Sequence, residues 1–182
     1  MTLILPTASF VAVPKTGTIS VEEAFGFLAD GFRPHLHEPV DVVRKRKKQV
    51  CFGVIREPVG WITSYYKYLK YSPYFNNTST FGLRTKTFDQ FVEKYVEGKH
   101  QWPEPLFHQA SYLDRHGERV DFIYRFEELN RLVSDLNSIT GVSVEVAHRN
   151  KSPDCDLKLD PALKKMFEDH AKRDYDIYES VK

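Results

Sequence analysis

The sequence predicts a single α/β domain whose mostly parallel sheet is covered by helices on both faces. Three observations carry that prediction. Ser9 to Val13, Gln49 to Ile55 and Val120 to Tyr124 are short apolar runs of the kind that forms strands buried on both faces. Segments with helical spacing separate them, and strands alternating with helices pack as a parallel sheet joined by right-handed crossovers. The first run also leads straight into a helix through a loop with one lysine, one glycine and three hydroxyls, at the strand end where such sheets hold ligands.

Taken in order, Ser9 to Val13 is the first strand. Ser20 and Glu23 have capping-box spacing, and Ala24, Phe25, Phe27 and Leu28 give a helix face before Gly31. Phe32 to Val40, with Pro34 and Pro39, reads as a short edge strand or an extended loop. Arg44 to Lys48 is a basic run without interleaved aromatics, the pattern of a solvated face. Gln49 to Ile55 is the second strand. Pro58 then opens a helix with Trp61, Ile62, Tyr65, Tyr66 and Leu69 on one face.

Lys70 to Lys86 is a long polar loop. Thr87 caps a helix carrying Phe88, Phe91, Val92 and Tyr95 and ended by Gly98. A helix over Pro105 to about Leu113 and a turn at Gly117 precede the third strand, Val120 to Tyr124. Leu129, Leu132, Val133, Leu136 and Ile139 form the strongest helical stripe, stopped by Gly141. Val142 to Val146 reads as a last edge strand. Asp160-Pro161 starts a C-terminal helix with Leu163, Met166, Phe167 and His170 on one face.

Composition bounds the function. A length of 182 residues suits one domain, 1–182, and leaves no room for a second. Lys and Arg number 26 against 25 Asp and Glu, so bulk charge gives no reason to expect nucleic acid or a membrane surface as partner. Any anion site must be local. Met1 to Pro6 lacks a signal pattern and no stretch reaches membrane-spanning length, so a soluble, cytoplasmic protein is expected. Cys51 and Cys155 offer neither a disulfide framework nor a metal spacing.

The loop Pro14-Lys15-Thr16-Gly17-Thr18-Ile19-Ser20 is the first candidate site. A helix start has unpaired N–H groups and partial positive charge, which together hold a phosphate or sulfate. Lys15 adds a full charge, Gly17 permits close backbone approach, and Thr16, Thr18 and Ser20 add hydroxyls. The plain alternative is an ordinary strand-to-helix turn with a solvated lysine. At the second junction, Arg56-Glu57-Pro58 is followed by Ser64, two helical turns on. Arg56 offers a rigid cationic fork suited to phosphate. Pairing of Arg56 with a carboxylate is the alternative there.

These motifs resemble those of sulfotransferases that use 3′-phosphoadenosine 5′-phosphosulfate (PAPS). Pro14 to Thr18 is similar to their 5′-phosphosulfate loop, and Arg56 to Pro58 with Ser64 to their 3′-phosphate motif. Gln109, Tyr112 and the run Val120 to Leu129, which contains Arg125-Phe126-Glu127-Glu128-Leu129, resemble the later half of the carbohydrate sulfotransferase family. His148 to Ser152 and Ala171 to Tyr178 look like its closing segments. The resemblance implies a three-layer, nucleotide-kinase-like (P-loop-like) α/β fold, PAPS as sulfuryl donor without a required metal, and a hydroxyl acceptor, by family pattern a glycan.

Residue by residue, it implies that Lys15, Thr16, Gly17, Thr18, Ile19 and Ser20 hold the 5′ side, and Arg56, Ser64, Lys151 and Ser152 the 3′-phosphate side. The family's acceptor base lies between the first helix and the second main strand, where this chain has His35, His37 and Glu38. His37 is the chosen candidate, because a neutral imidazole accepts a hydroxyl proton. The chain departs from the Golgi members in length and in lacking their membrane anchor, which fits a pared-down bacterial or viral version. An ATP-dependent kinase of related fold and a non-catalytic nucleotide or polyanion binder stay open as alternatives.

Overall fold

The computed structural model describes residues 2–29, 37–71, 87–98, 108–146 and 157–181. In chain order its elements are β1 (Leu3–Ile4), β2 (Ala8–Val11), α1 (Thr18–Phe25), α2 (Val40–Arg46), β3 (Val50–Ile55), α3 (Pro58–Tyr71) and α4 (Phe88–Val96). There follow α5 (Ala110–Leu113), the hairpin β4 (Asp114–Arg115) and β5 (Glu118–Arg119), β6 (Phe122–Arg125), α6 (Leu129–Thr140), α7 (Pro161–His170) and α8 (Lys172–Ser180). The main sheet has the order β1-β2-β3-β6, with β2, β3 and β6 parallel and β1 antiparallel at the edge.

Alternation along the strands sends side chains to two buried faces, which is why the runs are apolar throughout. Ala8, Phe10, Phe52, Val54 and Tyr124 pack with Val21 and Phe25 of α1 and the Leu129, Leu132, Val133, Leu136 stripe of α6. Val11, Cys51 and Ile55 pack on the opposite side with Val40 and Val43 of α2, Leu113 of α5 and Ile177 of α8. The sheet is therefore the middle of three layers. Trp61, Ile62, Tyr66, Phe91, Tyr95 and Phe167 join α3, α4 and α7 in a third cluster.

Several sequence expectations are corrected. Ser20 does not cap α1: the helix begins two residues earlier, behind Gly17, and Ser20 is buried inside it. The helix also ends at Phe25, because Gly26 weakens its continuation into a 3-10 turn that leaves Phe27 68% exposed. The basic run begins in the last turn of a helix, α2, whose apolar stripe is Val40 and Val43, and it stays largely solvated as expected, with Lys45, Arg46 and Lys48 exposed. Its Arg44 donates to Asp121 (2.9 Å) and to the Arg119 carbonyl (2.9 Å), and Arg46 pairs with Glu38.

Val142 to Val146 forms no strand, because the Asn137 amide bonds both backbone groups of Val144 (2.9 and 3.1 Å) in place of a ladder. Helix α5 spans only four residues among those described. Met166 is exposed while Phe167 is buried, and α8 follows α7 as a separate helix. The expected helices at α3, α4 and α6 form, with Thr87 capping α4 and Gly141 closing α6 in a left-handed conformation. The loop expected over Lys70 to Lys86 lies mostly outside the described residues, although Lys70 is helical. No helix among the described residues is long and apolar enough to cross a membrane.

Gly17 has φ of 78°, and a Cβ there would meet Leu129 Cδ1 at 2.7 Å. Gly17→Ala should therefore lower stability by about 1 to 3 kcal/mol through backbone strain and overpacking. Leu129→Ala in the same chain should recover part of the overpacking loss. Denaturant titration of the single and double variants checks this, and strictly additive losses would show that Leu129 does not crowd residue 17.

Candidate functional site

The carboxyl ends of β2 and β3 deliver the two predicted motifs side by side, as the parallel pairing from Ala8↔Val50 to Val11↔Gly53 requires. After β2 the chain turns sharply, with φ of 64° at Lys15 and 78° at Gly17. The indole N–H of Trp61 donates to the Pro14 carbonyl (2.8 Å, buried), which ties the turn to α3. The Thr16 hydroxyl donates to Val13 O (2.8 Å), so it faces the protein and only the backbone of Thr16 is left for a ligand. No side chain caps α1, and its first N–H groups remain as donors. Thr18 and Ser20 are buried, whereas Ile19 is exposed beside them.

Two cations meet here. Lys15 Nζ lies 3.9 Å from the ring centre of Tyr68, and its pKa is drawn down to about 8 by burial and then by the charge of Arg56. The Arg56 guanidinium sits over the Phe126 ring (4.6 Å), and burial lowers its pKa against the pull of Glu127 and Glu57. Among the described residues neither forms an ion pair with a carboxylate. Glu57, the acid of the Arg-Glu-Pro motif, instead caps α3 by accepting from the Val59 and Gly60 N–H groups, and it accepts from Tyr175 Oη (3.3 Å). The start of α3 is thus closed and that of α1 open.

The backbone of Arg56 is held from both sides. Its N–H donates to Gln109 Oε1 and its carbonyl accepts from Gln109 Nε2, each at 2.9 Å. Asp174 in turn accepts from the N–H groups of Gln109 (3.2 Å) and Ala110 (2.8 Å) at the start of α5. Gln109 and Asp174 are 0% and 1% exposed. Burial raises the Asp174 pKa to about 6, partly opposed by the two N–H donors.

His37 Nδ1 lies 2.8 Å from Ala12 O. A carbonyl only accepts, so Nδ1 carries the proton and Nε2 the lone pair. Burial, and positive charge that includes Lys15, depress the His37 pKa to about 4. His37 is therefore neutral near pH 7 and belongs to the same neighbourhood as Lys15. Glu38 points elsewhere, with its carboxylate paired to Arg46 and its N–H bonded to Thr2. Ser64 is buried in α3 without a hydrogen bond to a described residue. His35, Lys151 and Ser152 lie outside the described residues, as does Cys155.

Sequence reasoning missed four contributors. Glu57 had a readable signal, an acid directly before a first-turn proline. Trp61 stands on the expected helix face and Tyr68 does not, and their partners are 47 and 53 positions back, since the Trp61 bond reaches Pro14 and Tyr68 meets Lys15. Asp174 gave none, because the N–H groups that its carboxylate accepts from are 65 and 64 positions back. No three His, Cys, Asp or Glu side chains gather as a metal site among the described residues.

No protein-family model and no curated protein matches the chain. Among solved structures it is similar to a sulfotransferase from Alicyclobacillus acidocaldarius, at 20% identity and a TM-score of 0.44 over 93% of this chain and 77% of that one.

His37 and Asp174 make opposite contributions to stability. His37, depressed from 6.5 to about 4, supports the fold above pH 6.5 and loses that support as pH falls through the window. Asp174, raised from 3.8 to about 6, weakens the fold as pH rises through its window. In urea titrations between about pH 4 and 7, His37→Asn should flatten the loss on acidification and Asp174→Asn should steepen it. Shifts in the same direction would contradict these environments.

Proposed function

We propose that this chain transfers a sulfuryl group from PAPS to a hydroxyl of an acceptor, which the motif resemblance makes a glycan. One observation carries the reading: Lys15 and Arg56, from neighbouring strand ends, lie close enough to feel each other's charge, without an ion-paired carboxylate among the described residues, beside a helix start that its N-cap, Gly17, leaves without a side-chain cap. That donor set fits a nucleotide with separate 5′ and 3′ anionic groups. Gly17, Thr18, Ile19 and the Thr16 backbone fit the 5′ group, and Arg56 with Ser64 the 3′-phosphate.

PAPS supplies the sulfuryl group, whose bond to the 5′-phosphate oxygen breaks as the acceptor oxygen bonds to sulfur. Lys15 and the α1 N–H groups stabilise the charge left on that phosphate, so the reading needs no metal. His37 Nε2 receives the acceptor proton. A donor bond from Nδ1 to Ala12 O fixes the required tautomer, although a pKa of about 4 makes His37 a weak base. Lys151 and Ser152 enter only through the motif resemblance, as further contacts on the 3′ side. His35 is retained as the control residue, whereas the ion pair of Glu38 argues against it as base.

The spent donor, 3′-phosphoadenosine 5′-phosphate, should raise the melting temperature without magnesium, and more than ATP with magnesium does. A larger shift with ATP and magnesium would favour a kinase. In labelled-PAPS assays with an acceptor panel, Lys15→Ala should reduce turnover more than donor affinity. Arg56→Ala should cost about 1.5 to 3 kcal/mol of bisphosphate binding and little for a nucleotide without the 3′-phosphate.

His37→Ala should remove the acid limb of the rate profile, expected near pH 4, and spare donor binding. An unaltered rate in that variant would dismiss His37 as base.

A further inference from the structure

We infer that Gln109 is a positioning residue for the 3′-phosphate: its amide, anchored through Asp174, fixes the Arg56 backbone on both sides of its Cα and so aims the Arg56 guanidinium. The inference rests on the function proposed above. Arg56 directly follows β3, where ladder hydrogen bonds end, and its carbonyl and N–H would otherwise be free to rotate. Gln109 matches both groups at once, and a primary amide is the neutral side chain with one acceptor and one donor at this spacing.

A side-chain clamp is only as rigid as its own backbone. Helix α5 has four residues, too short to hold itself, and Gln109 at its start has no side-chain cap of the usual kind. Asp174, from α8, supplies the missing acceptor by taking both the Gln109 and the Ala110 N–H. The surroundings of this carboxylate include His108 Nδ1 at 4.0 Å, the charge of Arg173 and the buried Tyr95 hydroxyl, whose pKa the carboxylate raises. Among the described residues the side-chain amide of Gln109 itself bonds only the Arg56 backbone. A residue this buried, with both ends of its amide committed to the two peptide groups that flank one Cα, acts through that backbone.

The test is the preference for 3′-phosphoadenosine 5′-phosphate over adenosine 5′-phosphate, measured by calorimetry on the full chain. Gln109→Ala should lose about fivefold or more of the wild-type preference, the scale of a misaimed charged hydrogen bond. A smaller loss in a folded variant overturns the inference, since a residue that merely stabilised the fold would weaken both nucleotides alike. Wild-type protein without any preference would instead overturn the proposed function.

Gln109→Glu adds a readout that a structural role would not move. A neutral carboxyl offers the same acceptor and donor as the amide, whereas a carboxylate opposes the Arg56 carbonyl. Normalised to wild type at each pH, its preference should therefore approach the wild-type value near pH 5 and fall toward pH 8, a window set by the carboxyl titration, about those values for a buried acid. A flat profile, or a Gln109→Glu chain that stays unfolded even near pH 5, overturns the inference.

Discussion

Lys15 and Arg56 repel each other in a half-buried setting, and the architecture is arranged to keep them there. Burial first, and then the charge of Arg56, displaces the Lys15 pKa from 10.5 to about 8, a penalty on the order of 3 kcal/mol at neutral pH. Such an arrangement persists only if the surrounding structure over-determines it. Aromatic faces meet that demand without neutralising the charges. Tyr68 lies against Lys15 and Phe126 against Arg56, so each cation keeps an attractive neighbour that an incoming anion need not displace by charge exchange.

The rigid framework is distributed over distant parts of the chain. Trp61 fixes the loop from α3, Gln109 fixes the neighbouring strand end from α5, and Leu129 fills the space that Gly17 leaves open. All three contacts converge where the parallel strands end, since pairing of β2, β3 and β6 in one direction brings their following loops to one side. The parallel order thus supplies proximity, and the buried hydrogen bonds supply aim.

Much of this was legible because it is local or periodic. The doubly apolar strands, the Leu129 to Leu136 stripe, the Thr87 cap and the loop from Pro14 to Ser20 each act through neighbours in sequence. What escaped depends on partners far apart. The bonds that tie Arg44 of the basic run to the fold reach Asp121, and the Asp174 bonds reach back to residues 109 and 110. Local competition misled the reading elsewhere: a left-handed Gly17 moved a helix start that Ser20 and Glu23 advertised, and the Asn137 amide took the backbone that would have extended an edge strand. Residue type favoured His37 over His35 and Glu38 as the candidate base but said nothing of what each side chain touches; His35 lies outside the described residues, and the other two differ in their partners. Their hydrogen-bond and ion-pair partners separate them.

The inward-turned hydroxyl of Thr16 has a consequence for the ancestry and redesign of this loop. In loops that serve magnesium nucleotides, the hydroxyl after the lysine stands on the metal. Here that same position is folded back onto Val13, beneath a lysine already in a left-handed conformation. A hydroxyl held in this way is withdrawn from any ligand by the path of the main chain, and bringing it to the surface of the loop would require re-laying the turn rather than repainting its side chains.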